Sequence, residues 1–150
     1  MRTTLIRALP AATLLAVSLA APAAAAVING TSGPDVLVGT PSADTIRGFG
    51  GNDTLRGRGS ADKLYAGYGA DKLYPGDDSR KDVLRGSRGP DRINARTPDV
   101  VYAGAGNDTI RVLEIHGWDF PTINCGPGRD TVIADYTGFG MSNCERMVAP

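Results

Sequence analysis

The chain has 150 residues, a length typical of one domain, with 16 basic and 16 acidic residues. This balance gives no support for nucleic-acid binding, which needs concentrated positive charge. Aspartate outnumbers glutamate 14 to 2, and glycine numbers 20 whereas Phe, Trp and Tyr together number nine. Because aspartate is both a turn residue and a hard oxygen ligand, the composition indicates turns that hold a metal ion. The scarcity of bulky residues indicates either partial disorder or a thin core held together by something else.

Residues 1–26 have the order of a secretory signal peptide. A basic start is followed by an apolar stretch over 5–21 and by the small residues Ala24 to Ala26. A membrane anchor is the alternative interpretation, but the stretch is alanine-rich and interrupted by prolines. We therefore predict a secreted, extracellular protein whose mature part begins at Val27 and carries 14 basic and 16 acidic residues.

A nine-residue repeat follows the predicted cleavage site. Aspartates recur with steps of nine, apart from one step of eleven and one of eight, at Asp35, Asp44, Asp53, Asp62, Asp71, Asp82, Asp91, Asp99 and Asp108. An aliphatic residue stands two positions after each of them, at Leu37, Ile46, Leu55, Leu64, Leu73, Leu84, Ile93, Val101 and Ile110. A disordered Gly/Asp-rich linker, the alternative interpretation, would lack this phased aliphatic residue.

The repeat resembles the RTX (repeats-in-toxin) family, whose unit is G-G-x-G-x-D-x-U-x with U a large aliphatic residue. The best single match is 48–56, and the resemblance extends from Gly30 to Arg111. It implies an all-β fold, a right-handed parallel β-roll or β-helix solenoid, with several Ca²⁺ ions between stacked turns. The cofactor expected from the resemblance is therefore calcium.

The residues of the unit explain this architecture. The last three residues form a short strand whose middle side chain points inward, since side chains alternate along a strand. The first six residues reverse the chain, where glycine allows unusual backbone angles and leaves carbonyl oxygens accessible. Carbonyls and one carboxylate make a hard-oxygen site suited to Ca²⁺. Two units make one coil, so every second repeat lies on the same edge of the roll.

The two edges differ in the residue two positions before each aspartate. On edge one this residue is always glycine, whereas on edge two it is Ser42, Ser60, Arg80 or Thr97. We predict that the better calcium sites lie on edge one, although turn sequences that vary without consequence remain the alternative. The predicted edge-one ligands are Asp35, Asp53, Asp71, Asp91 and Asp108, with Gly33, Gly48, Gly51, Gly69, Gly89 and Gly106. The weaker candidates are Asp44, Asp62, Asp82, Asp99 and Asp130.

The repeat register breaks after Arg111, which divides the predicted mature chain into a roll, 27–111, and a C-terminal cap, 112–150. The cap contains the one histidine and the one tryptophan, His116 and Trp118. The two cysteines, Cys125 and Cys144, predict a disulfide in a secreted domain. Their surroundings look like the ending of small secreted bacterial RTX-repeat proteins. Since a solenoid needs its open end covered, we expect the C-terminal segment with the predicted disulfide to cover it.

No catalytic motif is present, and we predict that the chain is not an enzyme. It has neither H-E-x-x-H nor G-x-S-x-G, and His116 with Asp119 is a weak acid–base pair. Outward strand positions carry several Arg, Lys and Tyr residues, which are either solvated faces or a surface for a cell-wall glycan or another surface polymer. The leading hypothesis is an extracellular calcium-binding module without a membrane span. The alternative is an adhesion or cell-surface interaction protein that uses the roll as a scaffold.

Overall fold

The computed structural model describes residues 24–113, 120–134 and 140–149 and consists there of strands and turns. Within these ranges, fourteen strands form two parallel seven-stranded sheets. The odd sheet contains β1 (Val27–Asn29), β3 (Thr45–Gly50), β5 (Lys63–Tyr68), β7 (Val83–Arg88), β9 (Val100–Ala105), β11 (Thr122–Asn124) and β13 (Met141–Ser142). The even sheet contains β2 (Val36–Val38), β4 (Thr54–Arg58), β6 (Lys72–Gly76), β8 (Arg92–Ala95), β10 (Thr109–Val112), β12 (Thr131–Ile133) and β14 (Arg146–Val148).

The chain alternates between the two sheets, so that each pair of successive strands is one coil of a parallel β-solenoid. This confirms the predicted fold class. Strands within a sheet pair in parallel with the aliphatic residues in register; Ile46, for example, pairs with Leu64. Such stacking keeps each aliphatic side chain over its counterpart in the next coil. Within the described ranges there is no helix long and apolar enough to cross a membrane.

The two irregular steps of the repeat leave this register intact. Lys63 pairs with Val83, 20 residues later, and Val83 pairs with Val100, 17 residues later. The additional residues lie in the turn before β7, and the shorter step lies in the turn before β9. Turns therefore absorb the changes in length, because a slip within a strand would turn its aliphatic side chain outward.

The core contains more than the predicted one aliphatic side chain per repeat. Of the nine predicted aliphatic positions, eight are at most 1% exposed, and Leu37 is partly buried. The residue two positions further along each strand also faces inward, because side chains alternate. It is small in most repeats, as at Ala66, Ala95 and Ala103, and larger at Pro75 and Val112. The aspartate two positions before the aliphatic residue is buried as well, apart from Asp35, which is half-buried. Most repeats therefore contribute an inward row of aspartate, aliphatic residue and small residue.

The solenoid continues beyond Arg111. Strands β11 and β13 extend the odd sheet, and β12 and β14 extend the even sheet. The predicted disulfide is confirmed: Cys125, fully buried in the core, is bonded to Cys144 with a Cα–Cα distance of 5.2 Å. His116, Trp118 and Asp119, like most of the predicted signal peptide, lie outside the described residues.

Candidate metal centre

The predicted edge-one aspartates form one continuous ladder along the solenoid. The backbone N–H of each aspartate donates a hydrogen bond of 2.7 to 2.9 Å to Oδ1 of the aspartate in the next coil. The ladder joins Asp35, Asp53, Asp71, Asp91, Asp108 and Asp130. Asp130, predicted as a weaker candidate, is thus the sixth member of edge one. Its own N–H donates to Oε2 of Glu145 at 2.6 Å.

A second ladder of the same kind lies on edge two. It joins Asp44, Asp62, Asp82 and Asp99, with N–H to Oδ1 distances of 2.7 to 3.0 Å. Both edges therefore place one carboxylate per coil at the start of each strand, and in both ladders Oδ1 is used by the neighbouring backbone. The difference between the edges lies in the other oxygen, Oδ2.

On edge one the second carboxylate oxygen has no hydrogen-bond donor beyond the first coil, where Oδ2 of Asp35 accepts the Thr31 N–H at 2.6 Å. Among the described residues, buried Oδ2 atoms without a partner occur in five consecutive edge-one aspartates but in one edge-two aspartate, Asp62. The five are Asp53, Asp71, Asp91, Asp108 and Asp130. On edge two, by contrast, Oδ2 of Asp99 accepts the Arg96 N–H at 2.7 Å, and Oδ2 of Asp44 accepts the hydroxyl of Thr40 at 3.0 Å. A buried carboxylate oxygen without a donor requires a cation or a proton.

Backbone carbonyls converge on these oxygens. A Cβ atom placed on Gly48 would lie 2.2 Å from Oδ2 of Asp53 and 2.5 Å from the carbonyl oxygen of Ala66, one coil further on. Gly86 has the same surroundings, with Oδ2 of Asp91 at 2.2 Å. A carboxylate oxygen and a carbonyl oxygen therefore both lie close to the Cα of Gly48, where any side chain would collide with them. Glycine at this position leaves room for oxygen atoms of the type that Ca²⁺ prefers.

This arrangement of a glycine beside a carboxylate oxygen and a carbonyl oxygen occurs on both edges. On edge two, a Cβ atom on Gly57 would lie 2.3 Å both from Oδ2 of Asp62 and from the carbonyl oxygen of Pro75. Within the described ranges, no three Asp, Glu, His or Cys side chains come together in the manner of a compact metal site. An ion between two coils would therefore take much of its coordination from backbone carbonyls.

Burial makes these carboxyl groups resist ionisation. It raises the pKa of Asp82 and Asp91 to about 7. It raises the pKa values of Asp62, Asp99 and Asp108 to about 6. The hydrogen bond from the preceding coil opposes the pKa rise of Asp91, whereas the charges of Asp71 and Asp108 add to it. A cation beside these oxygens would favour the ionised form.

The edge-one turns have the backbone conformation that their glycines predict. Gly51, Gly69, Gly89 and Gly106 all have positive φ, from 103° to 158°, whereas Gly33 in the first turn does not. On edge two, Ser60 also has a positive φ, of 73°, at a cost of about 1 kcal/mol. The other edge-two residues, Ser42, Arg80 and Thr97, have other turn conformations. This difference explains why edge two tolerates residues other than glycine.

The sequence interpretation missed two acidic residues near the ladders. Glu145 ends the edge-one ladder. Met147 stands two positions after Glu145, as an apolar residue stands two positions after each aspartate of the repeat, and this spacing could have identified Glu145. Asp78 lies in the longer turn before β7, accepts the Ser60 N–H, and adds to the pKa rise of Asp62, Asp82 and Asp99. No periodic signal marks Asp78, because it lies within the irregular step.

A family model that describes the RTX calcium-binding nonapeptide repeat matches the chain in four copies, over residues 29–61, 48–81, 77–97 and 98–112. Together the copies span more than half of the chain. The chain belongs to the RTX calcium-binding repeat family. No curated protein and no solved structure matches the chain.

Membership of the RTX family means that this β-roll binds several Ca²⁺ ions. The stacked aspartates and carbonyls of the RTX turns fit such ions, because buried oxygens without donors need a cation. A cleft of about 450 Å³ on edge one is lined among others by Asp53, Asp71 and Asp91. The RTX roll is a structural calcium-binding fold and is not typically catalytic.

Proposed function

We propose that the chain is an extracellular calcium-binding module whose folding depends on Ca²⁺. The observation that carries the proposal is the run of five consecutive edge-one aspartates with a buried Oδ2 atom that has no donor. Five partnerless carboxylate oxygens in one row destabilise the compact chain, and bound Ca²⁺ supplies the charge that they lack. The binding free energy of the ions then becomes folding free energy.

The residues that would hold the ions are the predicted edge-one aspartates together with carbonyl oxygens of the adjacent coil. The gaps between Asp35 and Asp53, Asp53 and Asp71, Asp71 and Asp91, and Asp91 and Asp108 are the four predicted positions. The hydrogen bond from Asp108 to Asp130 supports adding a fifth gap of the same kind. Glycines such as Gly48 and Gly69 keep side chains out of these gaps.

The proposed extracellular setting rests on two features. The predicted signal peptide over 1–26 would direct export, and the Cys125–Cys144 disulfide forms in oxidising compartments. Extracellular calcium modules often bind at about 10⁻⁴ to 10⁻³ M. The chain would therefore remain largely unfolded in a low-calcium cytosol and fold after export. The stapled segment 112–150 would then cover one end of the roll.

Circular dichroism of the protein in chelator and in calcium tests the proposal. We expect a largely unfolded spectrum in chelator and a cooperative gain of β signal as calcium is added. Magnesium should substitute poorly, because it requires a smaller and more regular octahedral site. A β spectrum and a thermal midpoint unchanged by chelator would contradict the proposal and favour the roll as a calcium-independent scaffold for surface interactions.

A further inference from the structure

The outer face of the odd sheet carries a row of alternating arginine and tyrosine. Arg47, Tyr65, Arg85 and Tyr102 occupy equivalent positions on β3, β5, β7 and β9 and pair directly in register. We call this row the arginine–tyrosine ladder. Its guanidinium carbons lie over the tyrosine rings, with Arg47 at 5.7 Å and Arg85 at 5.9 Å from the centroid of Tyr65, and Arg85 at 4.6 Å from that of Tyr102.

The ladder is cationic, and the described strands around it carry no opposing charge. The strands of the odd sheet contain no Asp or Glu, and their cations are Arg47, Lys63, Arg85 and Arg88. The ion pair found among the described residues, Arg96 with Asp77, lies elsewhere. Arg47 and Arg85 contact the tyrosine rings, and within the described ranges neither forms an ion pair. An ordered row of guanidinium groups is suited to the bidentate recognition of carboxylates.

A groove with aromatic walls adjoins the ladder. It has a volume of about 390 Å³ and is lined by Arg47, Phe49, Tyr65, Gly67, Tyr68 and Arg88, among others. Phe49 and Tyr68 are 52% and 62% exposed. Aromatic side chains exposed beside cations form a surface that combines apolar contact with charge.

Phe49 is held in a costly backbone conformation. Its φ is 74°, and the residue paired with it in the next coil is Gly67. The family repeat has glycine at this position. A bulky residue with positive φ is a rare outlier, so an exposed phenylalanine here lowers stability without filling the core. Arg58 and Ser87, at the equivalent positions of other repeats, also have positive φ, so the repeat imposes this conformation. The exposed ring of Phe49 is what supports the groove as a binding site.

We infer that the outer face of the odd sheet binds a linear acidic polysaccharide. Sugar rings would pack on Phe49 and Tyr68, and their carboxylates would bond to the arginines of the ladder. Arg47 and Arg85 are two strands apart, a separation of about 9.5 Å, which is of the order of a disaccharide. In a polymer with one acidic sugar per disaccharide, the spacing of the carboxylates thus matches the separation of Arg47 and Arg85.

Nucleic acid fits this face less well. Each strand of a duplex has one phosphate per about 3.4 Å of helix axis, which does not match the arginine separation. The even sheet also carries cations, but its groove contains the Arg96–Asp77 ion pair.

The test measures the affinity of the calcium-loaded protein for a hyaluronan oligosaccharide long enough to span four strands. We expect Arg47→Gln with Arg85→Gln to weaken binding about tenfold or more, since charge-assisted hydrogen bonds are lost. The matched control, Arg92→Gln with Arg111→Gln, removes the same charge from exposed positions of the even sheet and should change affinity by less than about threefold. Phe49→Gly should also weaken binding while raising the thermal midpoint, because strain is relieved.

A neutral cello-oligosaccharide and oligo(dT) serve as comparison ligands, and thermal melts in calcium establish that each variant is folded. Hyaluronan should bind more tightly than either. Equal losses in the two double variants would show a response to net charge alone and overturn the inference. Absent hyaluronan binding, equal binding of the neutral sugar, or tighter binding of oligo(dT) would also overturn it. None of these outcomes depends on which residues hold calcium, so the proposed function is tested separately.

Discussion

The backbone N–H of Asp71 donates a 2.9 Å hydrogen bond to Oδ1 of Asp91, although the longer turn before β7 places Asp91 20 residues later instead of the regular 18. The same carboxylate has its Oδ2 atom buried without a donor. One oxygen of Asp91 therefore aligns two coils, and the other is left for a cation. This division of roles between the two oxygens underlies the predictions for calcium, packing and pH.

Removing the charge of one edge-one aspartate should weaken calcium binding. Asp91→Asn keeps an oxygen to accept the Asp71 N–H but removes the anionic ligand, so we expect about tenfold weaker binding at the affected sites and a loss of bound ions. Asp99→Asn on edge two is the matched control, because its Oδ2 already accepts the Arg96 N–H. Calorimetric calcium titration measures both. Similar losses from the two variants would contradict the predicted difference between the edges.

A methyl group at Gly48 should destabilise the roll. In Gly48→Ala, the new Cβ would lie 2.2 Å from Oδ2 of Asp53, and we expect a loss of about 1–3 kcal/mol from overpacking. Gly33→Ala is the control, because the nearest atom to its Cβ is 3.8 Å away and its φ is not positive. Thermal melts in saturating calcium compare the two variants. Equal midpoints would show that the space beside Asp53 is not needed.

Acid should partly replace calcium. Burial raises the pKa of Asp91 and Asp82 to about 7, above the value of 3.8 for an unperturbed aspartate. A carboxyl group with a raised folded-state pKa stabilises the fold when protonated, and this contribution is lost as the pH rises through the folded-state value. In chelator we therefore expect more β signal at about pH 5 than at about pH 7.5.

In calcium the trend with pH should reverse, because ions bind the deprotonated carboxylates and compete with protons. Calcium affinity should fall as the pH drops below about 7, with protons released on binding. Circular dichroism across this range, with and without calcium, measures both effects. A chelated protein that loses structure on acidification would contradict the raised pKa values.

Removing the disulfide should destabilise the C-terminal coils. Cys125→Ser with Cys144→Ser opens a loop of sequence separation 19, and the chain-entropy model assigns about 3 kcal/mol to closing such a loop. Cys144→Ala with Cys125→Ala is a second variant, since alanine avoids placing a hydroxyl at the buried Cys125 position. Chemical unfolding in calcium provides the measurement. An unfolding free energy that is unchanged in both variants would show that strands β11 to β14 do not need the disulfide.

The sequence by itself determined the solenoid, its two edges and its aliphatic core. In each repeat, the aspartate and the aliphatic residue two positions later, such as Leu64, face inward because side chains alternate along a strand. The nine-residue recurrence then makes equivalent positions of the coils stack. The glycines of edge one, such as Gly69, indicated left-handed turns, which the structure contains. The disulfide followed from the presence of two cysteines in a chain predicted to be secreted.

Only the tertiary structure decided which atoms of these residues meet. Spacing along the chain states which face of a strand a side chain takes, but contacts between coils depend on the register of residues 17 to 22 positions apart. The structure alone shows that the neighbouring N–H bonds to Oδ1 and that the partnerless Oδ2 atoms are left over. It also shows Glu145 at the end of the ladder and the alternation of Arg47 with Tyr65. They arise from hydrogen bonding and packing between coils, which no local pattern encodes.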